Sequence, residues 1–159
     1  MVELTKSDNS PVPVQAHLQV NSGLNELDPV LSWFAQLHQP PIPTSVWLRC
    51  QLALAEGFTN AVRHAHKGKP PDTPIDIEVA LFSEHLEIRV WDSGPPFDLE
   101  QRIREVSDQV DMYSGGGRGL KLMRDISDDL TYRPTADNRN CLLIVKGYKK
   151  YPENPGTLV

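Results

Sequence analysis

Three short stretches of this chain carry polar residues at suggestive spacings. In "ALAEGFTNAVRHAH", Glu56 and Asn60 are four residues apart. On a helix they would share one face, about 6 Å apart along the axis, and His64 would continue the stripe. Ala53, Ala55 and Ala61 keep the surroundings small. A carboxylate and an amide so placed can hold a hydrated divalent cation, because magnesium keeps several waters and takes few protein ligands. The carboxylate can also take a proton from an attacking hydroxyl or water. A solvated polar helix face would look the same.

In "VWDSGPPFD", Asp92 shares the parity of Leu86, Ile88 and Val90, so along a strand it points to the apolar side. Burying a carboxylate is costly unless it gains hydrogen-bond donors. A ligand with an amino group, such as adenine, would supply one, and Gly94 would let that ligand approach the backbone. The alternative is an Asp-Ser-Gly turn in which the aspartate bonds its own loop. The third stretch, "GGGRGLKLMRD", gathers four of the chain's ten glycines between Gly115 and Gly119 and then opens a helix. Free N–H groups at a helix start attract phosphate. Neither familiar phosphate motif fits. A Walker loop needs Gly-Lys-Ser/Thr, but Lys121 follows Leu120, and a dinucleotide fingerprint needs glycine where Leu120 or Leu122 stands. A hinged lid over phosphates and a flexible joint both remain open.

Several elements must position these stretches. Val14 to Ser22 reads as a strand with Ala16, Leu18 and Val20 on one side. Leu24, Leu27, Leu31, Phe34 and Leu37 recur at helical spacing. After the break "PPIP", Thr44 or Ser45 offers an N-cap to a long helix reaching His66. After "PPDTP", Ile75, Ile77, Val79 and Leu81 alternate with Asp76 and Glu78; a hairpin at "SEH" follows, and Leu86, Ile88 and Val90 alternate again. A short helix from Leu99 to Val106 is expected next, then a helix packing Leu120, Met123 and Ile126. Strands Leu130 to Arg133 and Cys141 to Tyr148 complete the chain. Consecutive alternating strands imply antiparallel pairing with one covered face, and the helices supply the cover. The expected fold is a two-layer α/β sandwich of the α+β class. One domain at 14–150 is expected between polar tails at 1–13 and 151–159 that read as disordered.

A chain of 159 residues suits a single domain. The net charge of -5 argues against nucleic acid and against an acidic membrane surface, since both reward a basic face. Cys50 and Cys141 are far apart and form no Cys-x-x-Cys pair, so they read as buried thiols rather than a zinc site or disulfide framework. No apolar run is long enough to span a bilayer. The start "MVELTKSDNSPVPV" lacks the basic-then-apolar order of a secretory signal, so a cytoplasmic location is expected.

In this order and spacing the three stretches resemble the ATP-binding domain shared by gyrase, Hsp90, histidine kinases and MutL, the GHKL superfamily with the Bergerat fold. Within it the chain is similar to the anti-sigma-factor serine/threonine kinases of the RsbW and SpoIIAB type. The Glu-x-x-x-Asn-Ala-x-x-His run is "EGFTNAVRH", Glu56 to His64. The Asp-x-Gly-x-x-Phe-Asp run is "DSGPPFD", Asp92 to Asp98, and the Gly-x-Gly-Leu run is "GRGL", Gly117 to Leu120. "GLKLMRDISDDLTY" continues in that family's manner, and the likeness covers residues 14 to 148. The resemblance implies a mixed, mainly antiparallel sheet with helices on one face. It implies ATP and Mg2+, with Asn60 as the magnesium ligand and Glu56 as the catalytic base that activates the acceptor hydroxyl. Asp92 would bind the adenine amino group with Gly94 beside it. Gly115, Gly117, Arg118, Gly119 and Leu120 would form the lid over the phosphates. Arg63 and His64 would reach phosphate or cap the helix, and a structural role is the preferred expectation for His64. One departure stands out: where many relatives open the last strand with Gly-Thr, this chain has Asn140 and Cys141. Pro95 and Pro96 stiffen the loop after Gly94.

The activity implied is phosphoryl transfer from ATP to a serine on a small, STAS-type anti-sigma antagonist. A sigma factor would be the second partner and a homodimer the assembly, with no direct nucleic acid and no membrane. Such transfer depends mainly on positioning and charge neutralisation, so few reactive groups are needed. A histidine kinase would carry a phosphoacceptor helix pair upstream, and with fewer than about 15 residues before the first expected strand that class is not the expected one. The alternative is a non-catalytic module that binds a partner under nucleotide control, and a third reading is ATP hydrolysis with water as acceptor. The carboxylate at Glu56 favours catalysis, because a pure binder has no use for a base.

Overall fold

Strict alternation of apolar and polar residues organises five strands: β1 (Val14–Val20), β2 (Ile75–Leu81), β3 (His85–Asp92), β4 (Asp129–Pro134) and β5 (Asn140–Gly147). They form one sheet in the order β1-β2-β3-β5-β4, and all four pairings are antiparallel. Ile77 lies opposite Val90, Val79 opposite Ile88, Ile88 opposite Ile144 and Val90 opposite Leu142. All of these are buried. A one-residue slip would turn the whole set to the other face, so burial fixes the register. The alternate residues Gln15, His17 and Gln19 are exposed, while Asp76, Glu78, Glu87 and Arg89 are half-buried. The computed structural model describes residues 14–108 and 118–148. The expected tails and the two glycines Gly115 and Gly117 lie outside the described residues.

Helices cover the apolar face. A 3-10 turn at Leu24–Glu26 leads into α1 (Leu27–Gln36). Its buried side is Val30, Trp33 and Phe34, followed by Leu37, whereas Leu24 is 43% exposed and Leu31 half-buried. The apolar stripe therefore starts a turn later than its leucines suggest. Pro29 falls in the first turn of α1, where its missing N–H would have had no intrahelical partner. The next helix, α2 (Thr44–Asn60), begins at Thr44 rather than being capped by it. Pro43 occupies the cap position without a side-chain bond, and the Trp47 N–H donates to its carbonyl at 3.0 Å. Phe34 and Trp47 stack at 4.2 Å between ring centres, which locks α1 to α2.

Gly57 lets α2 lie close to its neighbours. A Cβ there would sit 2.9 Å from Leu142 Cδ2 and 3.4 Å from Met123 Sδ. The helix does not run evenly to His66. It widens into a π turn at Ala61–Ala65, closed by the His66 N–H donating to the Ala61 carbonyl at 2.9 Å. Then come α3 (Leu99–Asp108) and α4 (Arg118–Ile126), the latter burying Leu120, Met123 and Ile126 as its spacing suggests. Cys50 is fully buried, and burial pushes its thiol up to about 12. Cys141 is half-buried and pushed up to about 11 for the same reason. Both stay protonated and unreactive at neutral pH.

Candidate functional site

Parity carries Asp92 to the inner face at the end of β3, where it is 3% exposed. Three donors satisfy it there. The Gly94 N–H donates to Oδ1 at 2.9 Å and the Asn140 amide donates to the same oxygen at 2.8 Å. The Tyr132 hydroxyl donates to Oδ2 at 2.8 Å. The inward aim expected from parity and the expected turn both hold, since Asp92 is a buried carboxylate that accepts from Gly94 of its own loop, and its donors come from the protein itself. Burial, then the Asp92 charge and hydrogen bond, push the Tyr132 hydroxyl far above its ordinary value, so it remains a donor. Tyr132 closes the run "GLKLMRDISDDLTY", yet that run assigns it no site role. The signal for its inward aim is that it shares the parity of buried Leu130 on β4.

Asn140 stands at the start of β5 directly opposite Asp92, and it is 2% exposed. Its amide also donates to the Gly94 carbonyl at 2.7 Å, so it clamps the loop as well as the carboxylate. Gly94 is required by a close approach of backbone to backbone. A Cβ there would lie 2.1 Å from the Ala65 carbonyl oxygen and 2.6 Å from its carbon. The loop after β3 is therefore pressed against the π turn that follows α2.

His66 ties the same region together and is 3% exposed. Its Nε2 accepts from the Ser93 N–H at 2.8 Å, so the proton must sit on Nδ1. Nδ1–H then donates to Ser22 Oγ at 2.5 Å, and the Ser22 hydroxyl donates to the Thr73 carbonyl at 2.6 Å. Burial holds His66 below its ordinary value, with the Asp92 charge opposing and Lys69 adding to the effect. The structural histidine is therefore His66, not His64. His64 is exposed, and its value is lowered by partial desolvation and then by Arg102, Arg63 and Lys67 around it.

Glu56 and Asn60 lie four residues apart on the last turns of α2, both half-buried. Their side chains make no hydrogen bond with any described residue. The first turn of α4 is pressed onto the carboxylate, because a Cβ at Gly119 would sit 2.2 Å from Glu56 Oε2. Of the other expected lid residues, Arg118 is exposed and Leu120 is buried in the core. Beyond Asp92, Phe97 stacks on Tyr132 at 4.4 Å and the Arg102 guanidinium lies 4.5 Å over the Phe97 ring. Phe97, Leu99, Tyr132 and Arg133 help line a cavity of about 550 Å³.

Among the described residues no three His, Cys, Asp or Glu side chains come together to hold a metal ion. A single amide such as Asn60, completed by waters and substrate phosphate oxygens, still suits magnesium, which seldom takes an all-protein cage. No helix among the described residues is long and apolar enough to cross a membrane.

Residues 20–146 match the family model of the histidine kinase-like ATPase domain. Over 85 residues the chain is 39% identical to Serine-protein kinase RsbW of Listeria monocytogenes, covering 50% of this chain and 54% of that protein. It is 35% identical over 85 residues to the Bacillus subtilis protein of the same name, covering 50% and 52%. The chain spans about half the length of the curated relatives it matches.

Proposed function

The chain belongs to the histidine kinase-like ATPase domain family, and from that premise we propose that it is an ATP-dependent serine/threonine protein kinase of the anti-sigma-factor type. The acceptor is a serine on a small STAS-type antagonist, and a sigma factor is the second partner. In this reading the protein is cytoplasmic and works as a homodimer, away from nucleic acid and membrane.

Each role falls to a residue already placed. Asp92 Oδ2 accepts a hydrogen bond from the adenine amino group beside Gly94. Asn60 would hold Mg2+, which when bound would supply neutralisation of the phosphate charge. The first turn of α4, at Arg118 and Gly119, presents N–H groups to phosphate. Glu56 takes the proton of the attacking serine hydroxyl as the serine oxygen bonds to the γ-phosphorus. The bond from that phosphorus to the bridging oxygen breaks, and ADP leaves.

The observation that supports this reading best is Glu56 itself. It is a half-buried carboxylate with no described hydrogen-bond partner, set on the Asn60 face of α2 and against the start of α4. A half-buried carboxylate so placed is free to accept a proton.

The test incubates purified protein with magnesium-ATP and a candidate antagonist, and reads phosphoserine by mass spectrometry. Glu56→Gln is expected to abolish transfer while nucleotide affinity stays within a few-fold. Transfer at the wild-type rate by Glu56→Gln would remove the base assignment. Nucleotide-dependent association without transfer would support the non-catalytic reading, and free phosphate without a protein product would support hydrolysis.

A further inference from the structure

Asn140 and Tyr132 have no part in the roles above, yet both direct their polar groups at Asp92. A carboxylate offers about four acceptor positions, two on each oxygen. Oδ1 of Asp92 takes the Gly94 N–H at 2.9 Å and the Asn140 amide at 2.8 Å, so it is full. Among the described residues Oδ2 takes only the Tyr132 hydroxyl at 2.8 Å, so one position remains. The orientation of Asn140 is not a free choice. Its nitrogen lies 2.8 Å from Asp92 Oδ1 and 2.7 Å from the Gly94 carbonyl, and both partners can only accept. Both N–H hydrogens are therefore used, and what Asn140 retains is its carbonyl oxygen. Asp92 and Asn140 together keep acceptor capacity and no donor.

We propose that Asn140 sets the nucleobase specificity of the Asp92 site by filling Oδ1. This rests on Asp92 reading a purine amine. With Oδ1 filled, the carboxylate takes one N–H from an exocyclic amine, as adenine offers. Guanine binds a carboxylate through its paired N1–H and N2–H groups, which need one acceptor on each oxygen, and Oδ1 has none left. In the adenine pose, the guanine carbonyl would meet acceptors alone. Tyr132 fills a position on Oδ2 and so does not bear on this exclusion. The two residues donate to one carboxylate but differ in which oxygen they occupy, and that difference makes the idea testable.

The experiment is displacement of a fluorescent ATP analogue from the full chain by ATP, GTP and purine riboside triphosphate, which lacks the amino group. Wild-type protein should favour ATP over each competitor by about tenfold or more, the usual scale of one hydrogen bond to a charged group. Asn140→Ala opens Oδ1 and should raise GTP affinity relative to ATP by about tenfold. Asn140→Val, one atom shorter than asparagine and β-branched as a strand position favours, opens Oδ1 likewise should the alanine variant fold poorly. Tyr132→Phe also removes one donor from Asp92 but should leave the ATP-to-GTP ratio as in wild type. A ratio unchanged in a folded Asn140 variant, or raised equally by Tyr132→Phe, overturns the inference alone. Wild-type protein that does not prefer ATP to purine riboside triphosphate, or Asp92→Asn that binds ATP normally, overturns the adenine reading and this inference with it.

Discussion

One methyl group should separate two glycines that the family resemblance places in the same nucleotide site. At Gly94 an added Cβ would lie 2.1 Å, 2.6 Å and 2.8 Å from the oxygen, carbon and Cα of Ala65. All three atoms are backbone, so no rotamer change relieves the clash. The loop would have to retreat by more than an ångström to reach ordinary contact. That movement draws the Gly94 N–H away from Asp92, the Gly94 carbonyl away from Asn140, and the neighbouring Ser93 N–H away from His66. Overpacking costs about 1–3 kcal/mol. Each buried hydrogen bond lost adds about 1 kcal/mol, or about 1.5–3 kcal/mol where the partner is charged. The sum, on the order of 4–8 kcal/mol, is a large part of the roughly 5–15 kcal/mol that holds a domain folded. For a chain of this size the thermal midpoint should fall by about 10–30 °C. At Gly119 the added Cβ would lie 2.2 Å from Glu56 Oε2 and 3.1 Å from its Cδ. These atoms end a flexible side chain, which can swing aside for less than about 1 kcal/mol, and alanine is the better helix former by a similar amount. Gly119→Ala should therefore melt within a few degrees of wild type. Its carboxylate, however, would be displaced by an ångström or more, enough to slow a positioned proton transfer by about a hundredfold. Differential scanning fluorimetry and phosphoryl transfer from labelled ATP read the two effects separately. Gly94→Ala melting at the wild-type temperature, or a folded Gly119→Ala transferring at the wild-type rate, would refute the geometric reasoning.

Two further substitutions probe the site. Asn60→Ala should remove the dependence of nucleotide affinity on magnesium, which calorimetry with and without the ion would show; undiminished dependence would exclude Asn60 as the ligand. His66 should make stability depend on pH, because its folded value lies below the ordinary 6.5. Above pH 6.5 both the folded and unfolded chains carry it neutral, and its contribution is fully present. As pH falls below 6.5 the unfolded chain takes up the proton first, so stability is lost until the folded value is passed. The thermal midpoint should fall between pH 7 and pH 5, and an equal slope in His66→Gln would refute the assignment.

Much of the site's framework was legible because it depends on local period. Alternation in β2 and β3 set their faces, so the inward aim of Asp92 followed from counting back to Leu86. Helical spacing likewise put Glu56 and Asn60 on one face. What did not follow was anything that depends on which strands become neighbours. Asp92 meets Tyr132 and Asn140 from 40 and 48 residues away, because β5 lies between β3 and β4. Burial of a carboxylate told that donors were needed, but not which residues would supply them. The π turn misled more directly. Read as even helix, "NAVRHAH" continues the stripe from Glu56 and Asn60 to His64. Closing the turn between Ala61 and His66 adds a residue, so His66 faces inward and His64 is left exposed. The same turn brings the Ala65 carbonyl against Gly94. A glycine whose sequence context suggested room for a ligand is in fact needed first to let the chain approach itself. Any contact it makes with nucleotide must therefore use the face turned away from Ala65.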